Sequence, residues 1–252
     1  MSGNAVASSS RSDIYEWASE QISMLPRNYA RATCEQNLTL IEVLGAPETA
    51  VALIREVLRS PVLMTQIAAR CYRHTNHFDK IVLIDTGARL GYRLTLHLWS
   101  PPYTEPEIND EQIHDHRFSF WSKILVGEMT FQDFARDASG TIYNEFQYIP
   151  EKLGVSTVGN FYVDVGESPL LETGRSGGVA GQAYHLPFSQ IHRVVLPLDH
   201  MTCTLVLRGP RQKNYASVFS TSRKYDPSGN SMFTEAQLAE RLTKILNKLE
   251  EV

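Results

Sequence analysis

The sequence predicts a mainly β protein, a barrel with helices before it and one helix after it. Apolar residues recur at helical spacing up to about residue 75 and alternate with period two from about residue 80. A last apolar stripe at helical spacing follows residue 234. We therefore divide the chain into a disordered lead (1–12), a helical segment packed on the barrel (13–75), the barrel (76–220) and a C-terminal helix (221–252).

The composition argues against several classes of function. Of the 252 residues, 42% are apolar and 21% are charged, as in an ordinary globular domain. The net charge is −4 and no run of Lys and Arg occurs, so we expect no nucleic-acid partner. No apolar stretch approaches the roughly 20 residues that span a bilayer, so we expect no membrane partner. The expected partner is a small molecule, bound by a monomer or a homodimer.

The cysteines indicate the compartment. Cys34, Cys71 and Cys203 are few, odd in number and never spaced as C-x-x-C, which favours a reducing cytoplasm over a disulfide framework. Residues 1–12 also lack the apolar core of a secretion signal. We therefore expect a cytoplasmic protein.

Capping and breaking residues predict where the helices begin and end. Asp13 can cap a first helix, and Pro47 opens a second, which ends at Ser60 before a third helix through residue 69. Thr234 and Gln237 form a capping-box pattern at the start of the last helix. The apolar stripe of that helix either packs on its own domain or forms a dimer contact.

Period-two segments separated by glycines predict the barrel strands. A Gly- and Ser-rich stretch at 167–181 predicts a mobile loop between two of them. The predicted strands are 81–84, 92–99, 119–126, 128–135, 142–149, 159–165, 183–187, 192–196 and 202–208.

The strand at 92–99 has two different faces, because alternate residues of a strand point to opposite sides. Its leucines share one side and would pack against a second layer. Its polar and aromatic residues share the other side, which would line a cavity. The residues predicted to face the cavity are Arg93, Thr95, His97 and Trp99.

The tripeptide His114-Asp115-His116 carries the strongest chemical signal. Residues two apart in a strand point to the same side, so both imidazoles can aim at one metal ion. A further candidate ligand, His192, follows much later in the chain.

These histidines and their neighbours resemble both halves of the cupin signature, over about residues 80–211. The resemblance implies a cupin barrel, that is, a double-stranded β-helix or jelly roll. It also implies that His114, His116 and His192 bind one divalent metal. The matching positions are His114, His116 and Gly127 in the first half, and Gly181, Pro187 and His192 in the second.

One departure from the signature bears on the chemistry. Phe120 stands where cupins usually have a ligating Glu. The site would then offer three neutral imidazoles and no carboxylate, and would leave up to three positions of an octahedral metal open.

A closer resemblance is to the thiol dioxygenases, such as cysteine dioxygenase. It rests on the runs 113–116 and 191–194 and on the preceding strand with its terminal Trp99. Those enzymes are three-His iron cupins that add both atoms of dioxygen to a thiol sulfur. The resemblance implies Fe(II) as cofactor, dioxygen as cosubstrate, and a small chelating substrate with a thiol or an amino-acid-like carboxylate.

Other positions depart from that family. Its late Ser-x-His-x-Tyr set falls on Thr204, Val206 and Arg208. Its carboxylate-binding Arg falls close to Lys80, and its cross-linked Cys falls near Phe120, so that crosslink is impossible here. Cysteine itself is therefore not the expected substrate.

Two residues are candidates for catalysis, His97 and Arg208. His97 acts as a general base or hydrogen-bond donor, or is an ordinary exposed histidine. Arg208 and Arg93 clamp a carboxylate, or form salt bridges at the barrel rim. The residues predicted to bind substrate are Arg93, Thr95, Trp99, Lys80, Phe120 and Thr204.

The remaining histidines are expected outside the metal site. His185 precedes the third ligand on its strand, but its spacing does not fit the motif. His74, His77 and His200 lie in turn-like contexts and are expected to be exposed.

Two other functions fit the same residues. Imidazole also suits Zn, Ni, Mn or Cu, so a non-redox isomerase, lyase or hydrolase is one alternative. A cupin that binds a small ligand without catalysis is the other.

Overall fold

The computed structural model describes residues 13–87, 91–149, 162–221 and 231–251, and the predicted lead at 1–12 lies outside them. The helices are α1 (Ile14–Ser23), α2 (Arg31–Leu44), α3 (Pro47–Arg59), α4 (Pro61–Ala68), α5 (Glu105–Ile108) and α6 (Glu235–Glu250). The strands are β1 (Tyr72–Arg73), β2 (Asp79–Asp85), β3 (Arg93–Trp99), β4 (Ile113–His114), β5 (Phe120–Val126), β6 (Glu128–Tyr148), β7 (Tyr162–Val179), β8 (Ala183–Leu186), β9 (Ile191–Val195), β10 (Thr202–Arg208) and β11 (Ala216–Ser220).

The strands form two antiparallel sheets. Within the described ranges, the first sheet has the order β1-β2-β3-β10-β5-β8 and the second has the order β11-β4-β9-β6-β7. The consecutive strands β3 to β10 alternate between the sheets in the pattern β3-β10-β5-β8 and β4-β9-β6-β7, which is the strand order of a jelly roll. The predicted cupin-type barrel with helices at both ends is confirmed.

The second sheet closes on itself through its longest strand. The start of β6 pairs with β9, β9 pairs with β4, β4 pairs with β11, and β11 returns to the end of β6. The outer side of this wall holds its own apolar cluster, which includes Ile113, Ile191 and Phe219. The two strands that carry His114 and His192 therefore have paired neighbours on both sides.

The main core lies between the helices and the first sheet. The leucines of β3 are buried there, together with Leu205 and Leu207 of β10. The two-faced pattern of β3 is confirmed, since its polar face points away from the helices toward the second sheet.

Helix α6 begins with the predicted capping box of Thr234 and Gln237. Its apolar stripe packs on α3 and α4 of its own chain, so the dimer interpretation of that stripe is wrong.

Two predictions about the elements are wrong. The predicted mobile loop at 167–181 belongs largely to β7, because a continuous ladder with β6 outweighs the low strand propensity of Gly and Ser. A Cβ at Gly177 would lie 2.2 Å from the Met129 carbonyl oxygen, so the ladder itself requires that glycine. The segments predicted as separate strands, 128–135 and 142–149, form the single strand β6, whose register shifts between Arg136 and Thr141.

Four elements have no counterpart in the sequence prediction, α2, α5, β1 and β11, and β4 was expected only as the strand that carries the H-x-H pair. Helix α2 buries only four of its fourteen residues, Thr33, Asn37, Ile41 and Leu44, and two of these are polar. This weak apolar pattern explains why the sequence does not predict α2.

Over the described residues, no single helix is long and apolar enough to cross a bilayer. The helices α2 and α3 pass the length and composition test only when taken together, as a pair bent by 70°.

The contribution of α6 to stability can be tested with two leucines. Leu242 is fully buried between α6 and the helical layer, whereas Leu198 is 54% exposed. We expect Leu242→Ala to lower the free energy of unfolding by roughly 2–5 kcal/mol because it leaves a cavity. Leu198→Ala is the matched control and should change it by less than about 0.5 kcal/mol. Urea titration measures both values, and equal effects would contradict the packing described for α6.

Candidate metal centre

Three histidines converge inside the barrel. His114, His116 and His192 have their ligand nitrogens within 4.8 Å of one another. The ring centroids lie 4.7 Å apart for His114 and His116, 4.8 Å for His114 and His192, and 5.1 Å for His116 and His192. The predicted metal ligands are therefore brought together.

Backbone pairing places the three rings. His114 of β4 lies directly opposite His192 of β9, and such cross-strand partners project to the same side of a sheet. His116 lies just beyond the end of β4, where its backbone N–H donates to the carbonyl of Phe188, 3.1 Å away. The signature proline, Pro187, comes just before that residue, so the two halves of the motif are tied together at the site.

Backbone carbonyls fix two of the imidazole tautomers. Nδ1 of His114 donates to the Gln112 carbonyl at 2.7 Å, and Nδ1 of His192 donates to the Gln190 carbonyl at 3.1 Å. Gln112 reaches this position in the left-handed region, with φ 49°. Because Nδ1 carries the proton in both rings, Nε2 carries the lone pair that a metal needs.

The third imidazole, that of His116, shows whether the site fits a metal ion. Nε2 of His116 is buried and has no hydrogen-bond partner among the described residues. A buried polar nitrogen without a partner is costly, whereas a bound metal would satisfy it. The donor set of three imidazoles thus fits a divalent transition metal.

Burial keeps the three rings neutral. It lowers the pKa of His114, lowers that of His116 well below its ordinary range, and lowers that of His192 to about 3. The neighbouring imidazoles add to the effect on His116 and His192. Neutral imidazole is the form that binds a metal, so the site is ready to bind one at neutral pH.

No carboxylate joins this cluster in the part of the chain that the structure describes. The Phe120 ring lies edge-on against His116 with centroids 5.1 Å apart, so an apolar ring lies beside the ligands where cupins usually have Glu. Asp115 points away from the triad: it accepts from the Ser217 backbone N–H and forms an ion pair with Lys213.

The predicted cavity face of β3 lies opposite the triad. Nε2 of His97 lies 3.2 Å from Oγ1 of Thr95, and the His97 ring packs on Phe78 at 4.4 Å. Trp99 packs on the same phenyl ring at 4.9 Å, and its Nε1 is buried with no partner among the described residues. Burial, with Lys80 as second cause, lowers the pKa of His97 well below its ordinary range.

The other predicted substrate residues lie on neighbouring strands of the same wall. Lys80 of β2 and Thr204 of β10 flank His97 in register. Arg93 forms an ion pair with Asp85 at 2.8 Å, and Arg208 donates to the Gly91 carbonyl at 2.7 Å. The structure thus brings these candidates to one wall; their roles in binding remain predictions.

The remaining histidines lie outside the triad. His185 is exposed and stacks on Trp121 on the helix-covered side of the first sheet. The predicted exposure of His77 is wrong, because its side chain is only 17% exposed and pairs with Glu107 and Asp110. His200 pairs with Asp199, and its side chain is 34% exposed.

The prediction that His74 is exposed is wrong. Its ring is half-buried and stacks on Phe78 at 4.6 Å, and burial lowers its pKa well below the ordinary range. The turn that carries it folds back into the barrel, so its turn-like sequence gave no sign of burial.

Four other residues near the site were not predicted. Nδ2 of Asn76 lies 3.4 Å from both ring nitrogens of His114. Phe131 lies 5.9 Å from His192, Tyr184 lies 5.2 Å from Phe131, and Phe78 lies beside His97. Phe131 and Tyr184 alternate with outward-facing residues on their strands, and this spacing is the signal that could have found them.

Comparison with known proteins finds structural similarity at low sequence identity. No family model matches the chain, and no curated protein matches it. Similar solved structures include the polyketide cyclase RemF from Streptomyces resistomycificus, with 19% identity over 63% of this chain and 80% of that chain, at a TM-score of 0.32. An oxalate decarboxylase has 13% identity over 61% of this chain and a TM-score of 0.34, but this chain spans only 31% of its length. The hydroquinone 1,2-dioxygenase PnpCD has 15% identity over 59% of this chain and 72% of that chain, at a TM-score of 0.31.

Metal binding can be tested with one ligand and one histidine outside the site. We expect His192→Ala to weaken binding of Fe(II) or Co(II) by more than the roughly 10–100-fold that a lost supporting hydrogen bond costs. His185→Ala is the matched control and should retain about one metal per chain. Elemental analysis and anaerobic metal titration measure both variants. Equal metal content in the two would contradict the triad.

The pH dependence of stability can be tested through His97. Its folded-state pKa is lowered, so below about pH 6.5 the unfolded chain binds a proton that the folded chain does not. The free energy of unfolding of the metal-free protein should therefore fall as the pH drops from 7 to 5.

A ring replacement isolates the contribution of this histidine. His97→Phe keeps a ring beside Phe78 but cannot bind a proton, so it should lose less stability over this range than the wild type. His200→Gln is the control: Asp199 raises the pKa of His200, so this change should not reduce the loss. Urea titrations at both pH values measure the difference, and identical losses in His97→Phe and wild type would refute it.

Proposed function

We propose that this chain is a mononuclear non-heme Fe(II) oxygenase of the three-His cupin type, acting on a small chelating substrate. The observation that carries the proposal is the convergence of three neutral imidazoles with an apolar ring, Phe120, beside them. The substrate proposed is a thiol or an amino-acid-like carboxylate.

The charge of the donor set favours an anionic chelating substrate. Three neutral ligands leave the full positive charge of the metal uncompensated and leave up to three positions of an octahedral ion open. When bound, iron would supply a Lewis-acidic, redox-active centre for substrate and dioxygen. The absence of a carboxylate ligand also argues against a 2-oxoglutarate enzyme of the facial-triad type.

The rings around the triad would exclude water. Phe120 lies against His116, Phe131 lies near His192, and Tyr184 lies 5.2 Å from Phe131 and 6.3 Å from Phe120. A dry, aromatic wall strengthens electrostatic contacts with a bound anion and limits side reactions with water.

His97 is the proposed proton acceptor. Its Nε2–H donates to Oγ1 of Thr95, and this hydroxyl donates to the Val206 carbonyl at 3.4 Å. This direction leaves Nδ1 of His97 with a lone pair. Burial keeps the ring neutral but also weakens it as a base, so it would accept a proton from a thiol or ammonium group whose own pKa a bound metal lowers.

The resemblance to thiol dioxygenases supports the reaction class and not cysteine as substrate. Thr204, Val206 and Arg208 occupy the positions of that family's Ser, His and Tyr, and in this chain Val206 is buried beside Phe120. The pocket is therefore more apolar at this point, which favours a different thiol or amino acid.

We also propose that the protein works in the cytoplasm on a small molecule, as a monomer or homodimer. Cys34, Cys71 and Cys203 are all free thiols, and Cys71 and Cys203 are buried. Free thiols are typical of reducing compartments.

Oxygen consumption tests the proposal. Protein purified anaerobically and loaded with one equivalent of Fe(II) should consume dioxygen when offered a panel of small thiols and amino acids. Consumption should require both iron and substrate, should be lost in His192→Ala and should be retained in His185→Ala. An oxygen electrode measures the rate.

Two results would overturn the proposal. One is stoichiometric zinc in the purified protein, with no oxygen uptake after iron loading. The other is oxygen uptake that is equal in His192→Ala and wild type, because it would not depend on the triad.

A further inference from the structure

Positive side chains gather on the barrel wall that faces the triad. Arg93 of β3 and Arg208 of β10 are direct cross-strand partners, so they project to the same inner face. Lys80 of β2 lies on the same face, in register with His97. Like charges directly opposite each other destabilise a sheet, so this arrangement needs a compensating anion.

The described residues supply only part of that compensation. Arg93 pairs with Asp85 at 2.8 Å. Arg208 is 5% exposed; it donates to a backbone carbonyl, and its Nε is buried with no acceptor in the described part of the chain. Lys80 lies over the Tyr72 ring, 5.9 Å from Nζ to the centroid, and has no carboxylate partner in the described ranges. Three cations on these strands therefore face one carboxylate, and Arg117 lies near enough to lower the pKa values of Lys80 and Arg208 as well.

Mutual repulsion is visible in the pKa values. Burial, with the neighbouring Arg93, Arg208 and Arg117 as further causes, lowers the pKa of Lys80 to about 7. Burial lowers the pKa of Arg208 to about 10, again with Arg93 as the next cause. The three charges thus lie close together and are partly shielded from water.

This cationic wall borders the metal centre. The Phe118 ring lies 5.1 Å from Cζ of Arg208 and 5.6 Å from the His116 ring. Phe120 pairs with Arg208 across the sheet and also contacts His116. A molecule bound at the open side of the triad would therefore be separated from Arg208 only by the ring of Phe118 or Phe120.

We infer that Arg93, Arg208 and Lys80 form a subsite for a phosphate group carried by the substrate. The assignment of that phosphate to the substrate rests on the proposed oxygenase function, whereas the anion site does not. Asp85 offsets Arg93, and a phosphate monoester, which carries about −1.5 to −2 charges, would offset Arg208 and hold Lys80 in its protonated form. A single carboxylate carries only one negative charge and would offset less of this positive charge. Phosphate oxygens also match the planar fork of a guanidinium group.

The subsite can be tested by calorimetric titration of the full chain in its metal-free form. The probes are inorganic phosphate, O-phosphoserine and acetate. We expect phosphate and O-phosphoserine to bind at least tenfold more tightly than acetate, with an affinity that falls as salt rises. Arg93→Gln and Lys80→Met should each weaken phosphate binding at least tenfold.

A matched variant controls for the loss of one positive charge. Arg55 pairs with Glu250 on the helical layer, away from the barrel, so Arg55→Gln should leave phosphate binding unchanged. Lys80→Met replaces a buried cation with an apolar chain of similar length, so it should fold as well as wild type, as measured by its Tm. If phosphate does not bind, or if it binds equally to Arg93→Gln, Lys80→Met and Arg55→Gln, the subsite is wrong.

A second titration, with iron-loaded protein under anaerobic conditions, distinguishes a phosphate group of a chelating substrate from free inorganic phosphate. O-phosphoserine, which carries a chelating amino-acid head, should gain affinity on iron loading, while inorganic phosphate should not. If both gain equally or neither gains, the phosphate does not belong to a chelating substrate. No turnover is involved, so failure to consume oxygen leaves the anion site standing, and oxygen consumption without phosphate binding overturns the anion site alone.

Discussion

The pairing of β4 with β9 is the constraint on which the site depends. It sets His114 opposite His192, and the extended chain after β4 brings His116 to the same point. A register slip of one residue would turn either ring to the opposite face of the sheet and separate the cluster. The carbonyls of Gln112 and Gln190 then choose the tautomer. The positions of His114 and His192 therefore follow from one short ladder, and their tautomers follow from the two carbonyls beside them.

Burial keeps the three imidazoles neutral, because it lowers their pKa values. Burial also shields Lys80 and Arg208 from bulk water, so charges here interact more strongly than on the surface. The triad and the cationic wall face each other across a barrel interior that carries aromatic rings but no carboxylate at the metal ligands. Such an interior favours anions over neutral or cationic molecules, whichever anion it takes.

Much of this arrangement could be predicted from the sequence, because it follows from short-range spacing. The H-x-H pair, the later His192 and the alternation along β3 each need only the strand period of two, and all three hold in the structure. The missed features depend on distant parts of the chain. Asn76 and His74 reach the site through a turn whose direction is set by tertiary packing, and the long β6–β7 ladder overrides the loop-like composition of 167–181. Arg93 lies opposite Asp85 on one neighbouring strand and opposite Arg208 on the other. Both pairings depend on strand register, which local sequence does not encode.

The closed path of the second sheet has a consequence for how metal enters. Because β6 returns to β11 and completes the circuit around β4 and β9, neither ligand-bearing strand can peel away without rupturing several ladders together. We therefore expect the barrel to keep its fold whether or not a metal is bound at the triad. In this respect it would differ from small zinc domains, which unfold when their metal is removed.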